Sequence, residues 1–323
     1  MLKDRDLLTL AEFSSEDIVR ILDVAHILKS ERKQGVHRNL LANRSLAMLF
    51  QKPSTRTRVS FEAGMAELGG HAINLTAAEL QLSRGETIED TARTLSRYVD
   101  CILGRVHDHQ DVERLAKAAD APVINGLSDR YHPCQALADL QTMREVKGRF
   151  QGLKVAWVGD GNNICNTLLV ASAKMGISMD VACPEGYDPY PEALAFARTA
   201  SSETDAEVRV LHDPETALSG ADVVVTDGFV SMGKEEERAD RLRRFLPRFQ
   251  VNGETFARAK PDAVFMHCLP AHRGEEVTDE IIDGPRSVVW EEAENRLHAQ
   301  KALLCLLLLR EDELPWPMMI EPR

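Results

Sequence analysis

The stretch SLAMLFQKPSTRTRVSFE, residues 45–62, changes character at its middle. Its first part, residues 45–50, is almost entirely apolar, which is typical of a strand covered on both faces of a sheet. Ser54 then stands where a helix is expected to begin, because a serine hydroxyl accepts hydrogen bonds from the free backbone N–H groups of a first turn. The stretch therefore predicts a buried strand that is followed directly by a capped helix.

The same residues predict a place for an anion. The amino end of a helix carries a partial positive charge and attracts negative groups. Thr55 and Thr57 add hydroxyl donors beside Ser54, and Arg56 adds a guanidinium that matches the geometry of phosphate oxygens. A phosphate dianion fits this set best, and the alternative is a capped helix with basic surface residues.

The strand–helix alternation continues along the whole chain. Apolar, β-rich runs occur at residues 45–50, 71–75, 101–106, 122–127, 154–160, 179–184, 207–213, 222–228, 263–270 and 287–292. Amphipathic segments between them predict βαβ units with mainly parallel sheets. A length of 323 residues suggests about two domains, with a glycine-containing seam at 145–154. The predicted fold class is α/β, with two domains that are each a mainly parallel sheet flanked by helices.

Composition limits the classes of binding partner and the cellular compartment that we expect. A net charge of −12 and an aromatic content of 5% argue against nucleic acid and anionic membranes as partners. We expect small-molecule substrates instead. The six cysteines form no C-x-x-C pair, which indicates reduced thiols in a cytoplasmic protein. The acidic start of the chain does not resemble a signal peptide, and the apolar run 302–309 predicts a core helix end because it is too short to span a bilayer.

Polar residues follow nearly every predicted strand. In open α/β sheets, ligands bind outside the carboxyl ends of the strands. Besides residues 54–57, the polar residues at these positions are Arg105, His132, Gln135, Asn163, Asp227, Cys268 and Arg296. Their shared position favours a site that several strands build together, and the two additional arginines strengthen the phosphate interpretation.

Two short motifs predict less than they first suggest. GDGNN at 159–163 follows a strand, but it lacks the third glycine of a dinucleotide-binding fingerprint, and its asparagine amides could hold a carboxylate instead. HDH at 107–109 has two histidines without a further ligand set. We therefore predict no cofactor and no metal site from the sequence.

Two other functional hypotheses remain open at this point. Cys268 could be the nucleophile of a hydrolase with His132 as its base, although a cysteine at a strand end is often structural. The neighbouring His267 is not a suitable base, because adjacent residues of a strand point to opposite faces. A binding protein without activity is the other possibility, but it would require damage to the phosphate motif, which is intact.

The motifs together resemble the aspartate/ornithine carbamoyltransferase family over nearly the whole chain. The segments that carry the resemblance are FQKPSTRTRVSFE, RGETIEDTARTLSRY, NGLSDRYHPCQALAD, GDGNN, SMGKEEE, MHCLPAHRGEEVTDE and EEAENR. The resemblance implies that residues 1–148 bind carbamoyl phosphate, that 149–295 bind ornithine, and that a C-terminal helix in 296–323 packs back on the first domain. It also implies a homotrimer or an assembly of trimers, with active sites between subunits.

The resemblance also implies which residues form the site. Carbamoyl phosphate would be bound by Ser54, Thr55, Arg56, Thr57, Gln81, Arg105, His132, Gln135, Cys268, Leu269 and Arg296. Among them Arg105, His132 and Cys268 would be catalytic, and Gln81 would reach a neighbouring subunit. Ornithine would be bound by Asn163, Asp227, Ser231 and Met232.

The motifs D-x-x-x-S-M-G at 227–233 and H-C-L-P at 267–270 resemble the branch that acts on ornithine. This implies transfer of the carbamoyl group to the δ-amino group of L-ornithine, which gives L-citrulline and phosphate in arginine metabolism. The alternative is a relative that acts on putrescine or an N-acylated ornithine. Gly228 and Phe229 depart from the small residue and tryptophan that the family usually has there, which predicts a looser loop or an altered amine preference.

Overall fold

The computed structural model describes residues 2–231 and 233–316, except for the side chain of Ser83. The chain divides into two compact units. The first contains the chain up to Gln141 and the segment from Asn295 onward, and the second is Thr142–Glu294. Each unit contains one sheet whose strand pairs are all parallel, so the predicted fold class is confirmed.

The sheet of the first unit has the strand order β2-β1-β3-β4. Its strands are β1 (Ser45–Phe50), β2 (His71–Thr76), β3 (Cys101–Arg105) and β4 (Val123–Leu127). Its main helices are α1 (Ser15–Lys33), α2 (Thr55–Glu67), α3 (Ile88–Leu95) and α4 (His109–Ala118). Strands β1, β3 and β4 are almost completely buried, whereas β2 is partly exposed. The continuous apolar runs therefore mark the buried strands, as two-sided burial requires.

Two helices cross from one unit into the other along the chain. They are α5 (Pro133–Lys147) and α12 (Val289–Leu308). The division lies inside these helices, at Gln141/Thr142 and Glu294/Asn295, whereas the sequence predicted boundaries after residues 148 and 295. In the first unit, Lys29 Nζ of α1 donates to Asn295 Oδ1 at 2.7 Å, and Lys301 Nζ donates to Glu67 Oε2 of α2 at 2.7 Å. These bonds hold the later part of α12 against α1 and α2.

The sheet of the second unit has the order β7-β6-β5-β8-β9. Its strands are β5 (Lys154–Val158), β6 (Ser178–Ala182), β7 (Val208–Leu211), β8 (Val223–Thr226) and β9 (Val264–His267). Its remaining helices are α6 (Asn163–Lys174), α7 (Pro191–Ser201), α8 (Pro214–Leu218), α9 (Arg238–Phe245), α10 (Gly253–Phe256) and α11 (Asp279–Ile282). In both sheets the strand order reverses once, next to β1 and β3 in the first and β5 and β8 in the second. Ligands of open α/β sheets bind at such reversals, outside the carboxyl ends of the strands.

The strand predicted at 287–292 is wrong. Only Ser287 forms an isolated bridge, with Phe265, and α12 begins at Val289. The β-branched and aromatic residues there have strand propensity, but Glu291 and Glu292 in the first turn suit a helix amino end, and a helical pattern continues beyond them. The apolar run 302–309 is buried, and its residues up to Leu308 form the end of this helix, so the predicted core helix end is confirmed. None of the helices in the described part of the chain combines the length and apolar character that crossing a bilayer requires.

Candidate active site

The loop after β1 forms the predicted capped helix start. Ser54 has an extended backbone, with φ −158° and ψ 116°, and its side chain accepts a hydrogen bond from Thr57 N at 3.2 Å. α2 begins at the next residue, Thr55. The predicted N-cap is therefore confirmed, and the first turn of α2 presents its N–H groups at the carboxyl edge of the sheet.

Two arginines meet at the hydroxyl of Thr57. Arg105, the last residue of β3, and Arg296, in α12, each donate to Thr57 Oγ1 at 3.4 Å. Thr57, Arg105 and Arg296 are all buried, with exposed fractions of 4% or less. Two guanidiniums around one oxygen repel each other, and a bound anion would offset that repulsion. Arg105 and Arg296 therefore form a cationic surface beside the reversal of strand order between β1 and β3.

Arg296 reaches this place from a helix, not from a strand end as the sequence predicted. Its Nη1 donates to Gln135 Oε1 at 2.8 Å, and Gln135 Nε2 donates to Asp139 Oδ1 at 2.8 Å. When the side-chain amide of Gln300 is oriented with its oxygen toward Arg296, that oxygen accepts from Arg296 Nε at 3.0 Å and from Nη2 at 2.8 Å. These bonds fix the direction of the guanidinium. Sequence reasoning missed Gln300 and Asp139, although each lies one turn after a predicted site residue on the same helix face.

His132 lies directly before α5 and is 4% exposed. Burial lowers the pKa of its imidazole well below the usual value, and the charges of Arg296, Arg105 and Arg56 lower it further. The ring is therefore neutral near pH 7 and offers an N–H donor without adding charge. The three arginines act on one ring, so the residues predicted for the phosphate and the carbonyl group come together in the first unit.

Within the first unit, two of the residues predicted for carbamoyl phosphate remain outside this cluster. Thr55 is exposed at the start of α2, and Gln81 is exposed in the 3-10 turn Gln81–Arg84, where its Oε1 accepts from Arg84 Nη1 at 3.4 Å. Within the described residues, neither forms a hydrogen bond to Thr57. Their roles in ligand binding stay predictions.

The second unit holds a carboxylate between an amide and a thiol. Asn162 caps α6, because its Oδ1 accepts from Ile164 N at 3.0 Å and Cys165 N at 3.1 Å. Its Nδ2 donates to Asp227 Oδ2 at 2.7 Å, and Cys268 Sγ donates to Asp227 Oδ1 at 3.2 Å. Asp227 follows β8 and Cys268 follows β9, next to the reversal at β5 and β8.

Asp227 and Cys268 are therefore brought together as the sequence predicted. Asn163, the first residue of α6, is half-buried beside them in the chain. The sequence analysis named Asn163 but missed Asn162, which orients the carboxylate; asparagine before a helix is a recognisable capping signal. Ser231 is half-buried, and the prediction for Met232 lies outside the described residues.

The H-C-L-P segment makes a turn that His267 holds. Its Nδ1 accepts from Leu269 N at 2.8 Å, so the ring hydrogen lies on Nε2, which faces Glu276 Oε1 at 3.2 Å. Leu269 has φ +58°, a left-handed conformation that costs a non-glycine residue about 1–2 kcal/mol. The His267 ring is occupied by these bonds and does not serve as a base for Cys268, whose thiol proton is directed at Asp227. These bonds exclude His267 as a base for Cys268, as the alternation of side chains along a strand predicts.

Phe229 does not loosen its segment. The ring is fully buried and stacks on Phe245, with 4.6 Å between the centroids and 24° between the planes. A Cβ on Gly228 would lie 3.3 Å from His272 Nδ1, so the glycine allows a close approach. The expectation of a looser loop is therefore wrong for residues 228 and 229, because Phe229 fills the core of the second unit.

Comparison with known proteins agrees with this geometry. Residues 5–145 match the carbamoyl-P binding domain of aspartate/ornithine carbamoyltransferases, and residues 151–307 match their Asp/Orn binding domain. The chain is 58% identical over 307 residues to an ornithine carbamoyltransferase from Pyrococcus abyssi, covering 95% of this chain and 96% of that protein. It is 53% identical over 306 residues to the enzyme of that name from Bacillus subtilis, covering 95% and 94%.

A solved ornithine carbamoyltransferase from Pyrococcus furiosus has the same fold, with a TM-score of 0.93 and 56% identity over 95% of this chain and 98% of that one. The enzyme from Thermus thermophilus gives a TM-score of 0.85 at 44% identity, covering 94% and 99%. The chain belongs to the aspartate/ornithine carbamoyltransferase family.

Proposed function

We propose that the protein is an ornithine carbamoyltransferase, which moves the carbamoyl group of carbamoyl phosphate to the δ-amino group of L-ornithine and yields L-citrulline and phosphate. The observation that carries the proposal is the Thr57 hydroxyl, bound by both Arg105 and Arg296 beside the neutral ring of His132. Such a site suits a dianion that is joined to a polarisable carbonyl group. The relatives at 53–58% identity, all named for ornithine, support the choice of amine.

Carbamoyl phosphate binds, in this proposal, with its phosphate against the first turn of α2 and the guanidinium of Arg56. Its carbonyl oxygen faces Arg105, His132 and Thr57. Negative charge develops on that oxygen when the amine attacks, and each fixed donor of this kind typically contributes about 10²–10³ in rate. A neutral His132 is suited to this role because it donates a hydrogen bond without repelling the arginines. Gln135 fixes the carbamoyl NH2, for which the Leu269 carbonyl is the predicted second partner.

Ornithine binds through its α-amino and α-carboxylate groups. The Asp227 carboxylate, held by Asn162 and Cys268, accepts from the ammonium group. The amino end of α6, with Asn163, suits the carboxylate because of its free N–H groups. Ser231 and Met232 are the further predicted ligands of this part of the substrate.

The transfer step needs no protein nucleophile. The neutral δ-amine attacks the carbonyl carbon, a C–N bond forms, and the C–O bond to phosphate breaks with its electron pair on the phosphate oxygen. Before the attack the δ-ammonium group loses one proton to solvent, assisted by Cys268, and after the attack the leaving phosphate accepts the second proton that the nitrogen gives up. An amine with a pKa near 10 is mostly charged at neutral pH, so turnover should rise into the alkaline range. A flat profile between neutral and alkaline pH would contradict this step.

A direct test compares two arginines of one helix. Arg56→Ala should nearly abolish binding of carbamoyl phosphate in calorimetry, because it removes a charge-assisted contact to the dianion. Arg58→Ala is the matched control: this exposed residue lies two positions on and pairs with Glu62 at 3.0 Å. Unchanged affinity in Arg56→Ala, or an equal loss in both variants, would refute the assignment. A citrulline assay with ornithine, putrescine, lysine and acylated ornithines then tests the choice of amine.

We further propose a cytoplasmic homotrimer or an assembly of trimers, in which Gln81 reaches the phosphate site of a neighbouring subunit. Exposed apolar side chains on α2 and β2, Val59 at 55% and Ile73 at 38%, support an interface on this face of the first unit. All six cysteines are free thiols, in agreement with a reducing compartment. Sedimentation equilibrium should give the mass of three chains or a multiple of it, and cell fractionation should place the protein with cytoplasmic markers.

The role of Gln81 has a separate test. Chains with Gln81→Ala and chains with Arg56→Ala should each be weakly active alone. Mixed and reassembled, they should regain activity, because some sites would then combine an intact Gln81 with an intact Arg56. Activity that stays at the sum of the two variants would argue against a shared site.

A further inference from the structure

Three side chains that commonly bind metal ions meet at a second place in the unit Thr142–Glu294. Cys183 follows β6, His212 follows β7, and Asp188 lies in the loop between β6 and α7. One ligand atom from each of the three lies within 4.8 Å of the other two. None of these residues takes part in the proposed transfer reaction.

The distance between the Cys183 sulfur and an Asp188 carboxylate oxygen fits a metal ion with tetrahedral coordination. Zinc–thiolate and zinc–carboxylate bonds of about 2.3 and 2.0 Å at a tetrahedral angle place the two atoms about 3.5 Å apart. Cys183 Sγ lies 3.7 Å from Asp188 Oδ1, where the thiol donates to the carboxylate. An ion could therefore replace the thiol proton with little movement of either side chain.

His212 is held as a metal-binding histidine usually is. Its Nδ1 lies 2.9 Å from the backbone carbonyl of Cys183. A carbonyl only accepts, so Nδ1 carries the hydrogen and Nε2 keeps the lone pair that a metal takes. A backbone carbonyl on the other ring nitrogen is a common partner of histidine ligands and fixes the orientation of the ring.

We propose that Cys183, Asp188 and His212 form a binding site for a divalent transition-metal ion of the zinc class, with solvent as the fourth ligand. One sulfur, one nitrogen and one oxygen ligand favour Zn²⁺ or Co²⁺ over Mg²⁺ and Ca²⁺, which prefer oxygen alone. Cys183 is buried, while Asp188 and His212 are exposed, so an ion can enter from solvent. On binding, the sulfur–metal bond forms and the thiol proton passes to solvent, without electron transfer.

The site would stabilise the loop that supports the start of α6. The carbonyl of Tyr187 accepts from Gly161 N at 2.8 Å, and Tyr190 N donates to Asn166 Oδ1 at 2.8 Å. A Cβ on Gly161 would lie 2.3 Å from Pro189 N, so this loop packs directly on the turn before Asn162. Bound metal should therefore raise the midpoint of thermal unfolding, because it binds the folded state, in which the three ligands are held together, more tightly than the unfolded chain.

The test is a Co²⁺ titration of the metal-free, full-length protein. We expect one equivalent to bind and to produce the near-ultraviolet absorption of a thiolate–Co²⁺ bond, which Zn²⁺ then removes by competition. Cys183→Ser should abolish the absorption, and His212→Gln should weaken affinity roughly tenfold or more, as loss of a group that fixes a metal site does. Circular dichroism establishes that each variant is folded, and the second variant serves if the first does not fold.

Two matched controls separate this site from other thiols. Cys268, Asp227 and His267 also offer ligand atoms within 4.8 Å of one another, so Cys268→Ser must keep the absorption. Cys165→Ala, which removes another buried thiol of the same unit, must keep it as well. No absorption in the unmodified protein, or absorption that is lost in Cys268→Ser and kept in Cys183→Ser, would overturn the proposal. Either result would leave the proposed transfer reaction untouched.

Discussion

Thr57 shows how one hydroxyl can organise a charged site. Its oxygen accepts from Arg105 and from Arg296, while its backbone N–H donates to Ser54, so the residue ties a helix start to two guanidiniums. Burial keeps water from screening the two positive charges, which raises the cost of the empty site. The same burial strengthens the attraction for a dianion. At the residue scale, the proposed affinity for a dianion therefore comes from charges that local hydrogen bonds hold in place before the ligand binds.

Substitution of the cap residue Ser54 can distinguish an effect on stability from an effect on ligand binding. Ser54→Ala removes the bond to Thr57 N, and Ser14→Ala removes the equivalent cap of α1, where Ser14 Oγ accepts from Asp17 N at 3.1 Å. Each change should lower the free energy of unfolding by about 1 kcal/mol. Only Ser54→Ala should also weaken carbamoyl phosphate binding, roughly tenfold or more, because hydrogen bonds to charged groups contribute ~1.5–3 kcal/mol. Urea unfolding and calorimetry measure the two effects, and equal affinity in both variants would contradict a ligand-binding Ser54.

At the scale of elements, α9 is anchored to the turn after β5. Arg241 Nη1 donates to Asp160 Oδ2 at 2.7 Å and to the Phe229 carbonyl at 3.0 Å. Burial raises the pKa of the Asp160 carboxyl, and the charge of Arg241 acts in the opposite direction. One guanidinium thus joins the GDGNN turn, the segment after β8 and the helix that follows the S-M-G motif. Asn163 and Asp227, which are predicted to bind the amino acid, lie on the first two of these.

Loss of this anchor should affect one substrate only. Arg241→Gln should lower the free energy of unfolding by ~3–5 kcal/mol, because it leaves a buried carboxylate unpaired. It should raise the KM for ornithine and leave the KM for carbamoyl phosphate unchanged, since its contacts lie around the predicted amino-acid ligands. Arg243→Gln, an exposed arginine on the same helix, should change stability by less than about 0.5 kcal/mol. Steady-state kinetics decides the matter: equal changes in both KM values would mean a general loss of structure.

At the scale of the molecule, buried histidines link stability to pH. Burial lowers the pKa of both His132 and His109 in the folded protein. His109 lies at the start of α4, where its Nδ1 is 2.8 Å from Ser128 Oγ. Below the unperturbed value of about 6.5, the unfolded chain binds protons that the folded chain does not. This part of the stability is therefore complete above that pH and decreases as the pH falls toward the folded pKa values.

The expected slope can be measured. Each such histidine contributes up to ~1.4 kcal/mol per pH unit in the window below about pH 6.5 and above its folded pKa. His132→Asn should therefore flatten the fall of the unfolding free energy with decreasing pH, and His109→Asn added to it should flatten it further. Denaturant titrations at a series of pH values and fixed protein concentration provide the slopes. A wild-type curve that does not fall in this window would show that the imidazoles are not held neutral.

The sequence by itself determined what depends on neighbours in the chain. Apolar runs, the Ser54 cap and the polar residues after strands follow from local propensity and from the rule that parallel strands end at one edge. The tertiary structure decided what depends on distant segments: Arg296 reaches Thr57 across 239 positions, and Asn162 orients Asp227 across 65. Burial, and after it three nearby arginines, lowers the pKa of His132 and keeps the ring neutral. Residues 289–292, for which a strand was expected, are helical in the structure. No local period encodes such contacts, because packing of the whole unit sets the distances between these side chains.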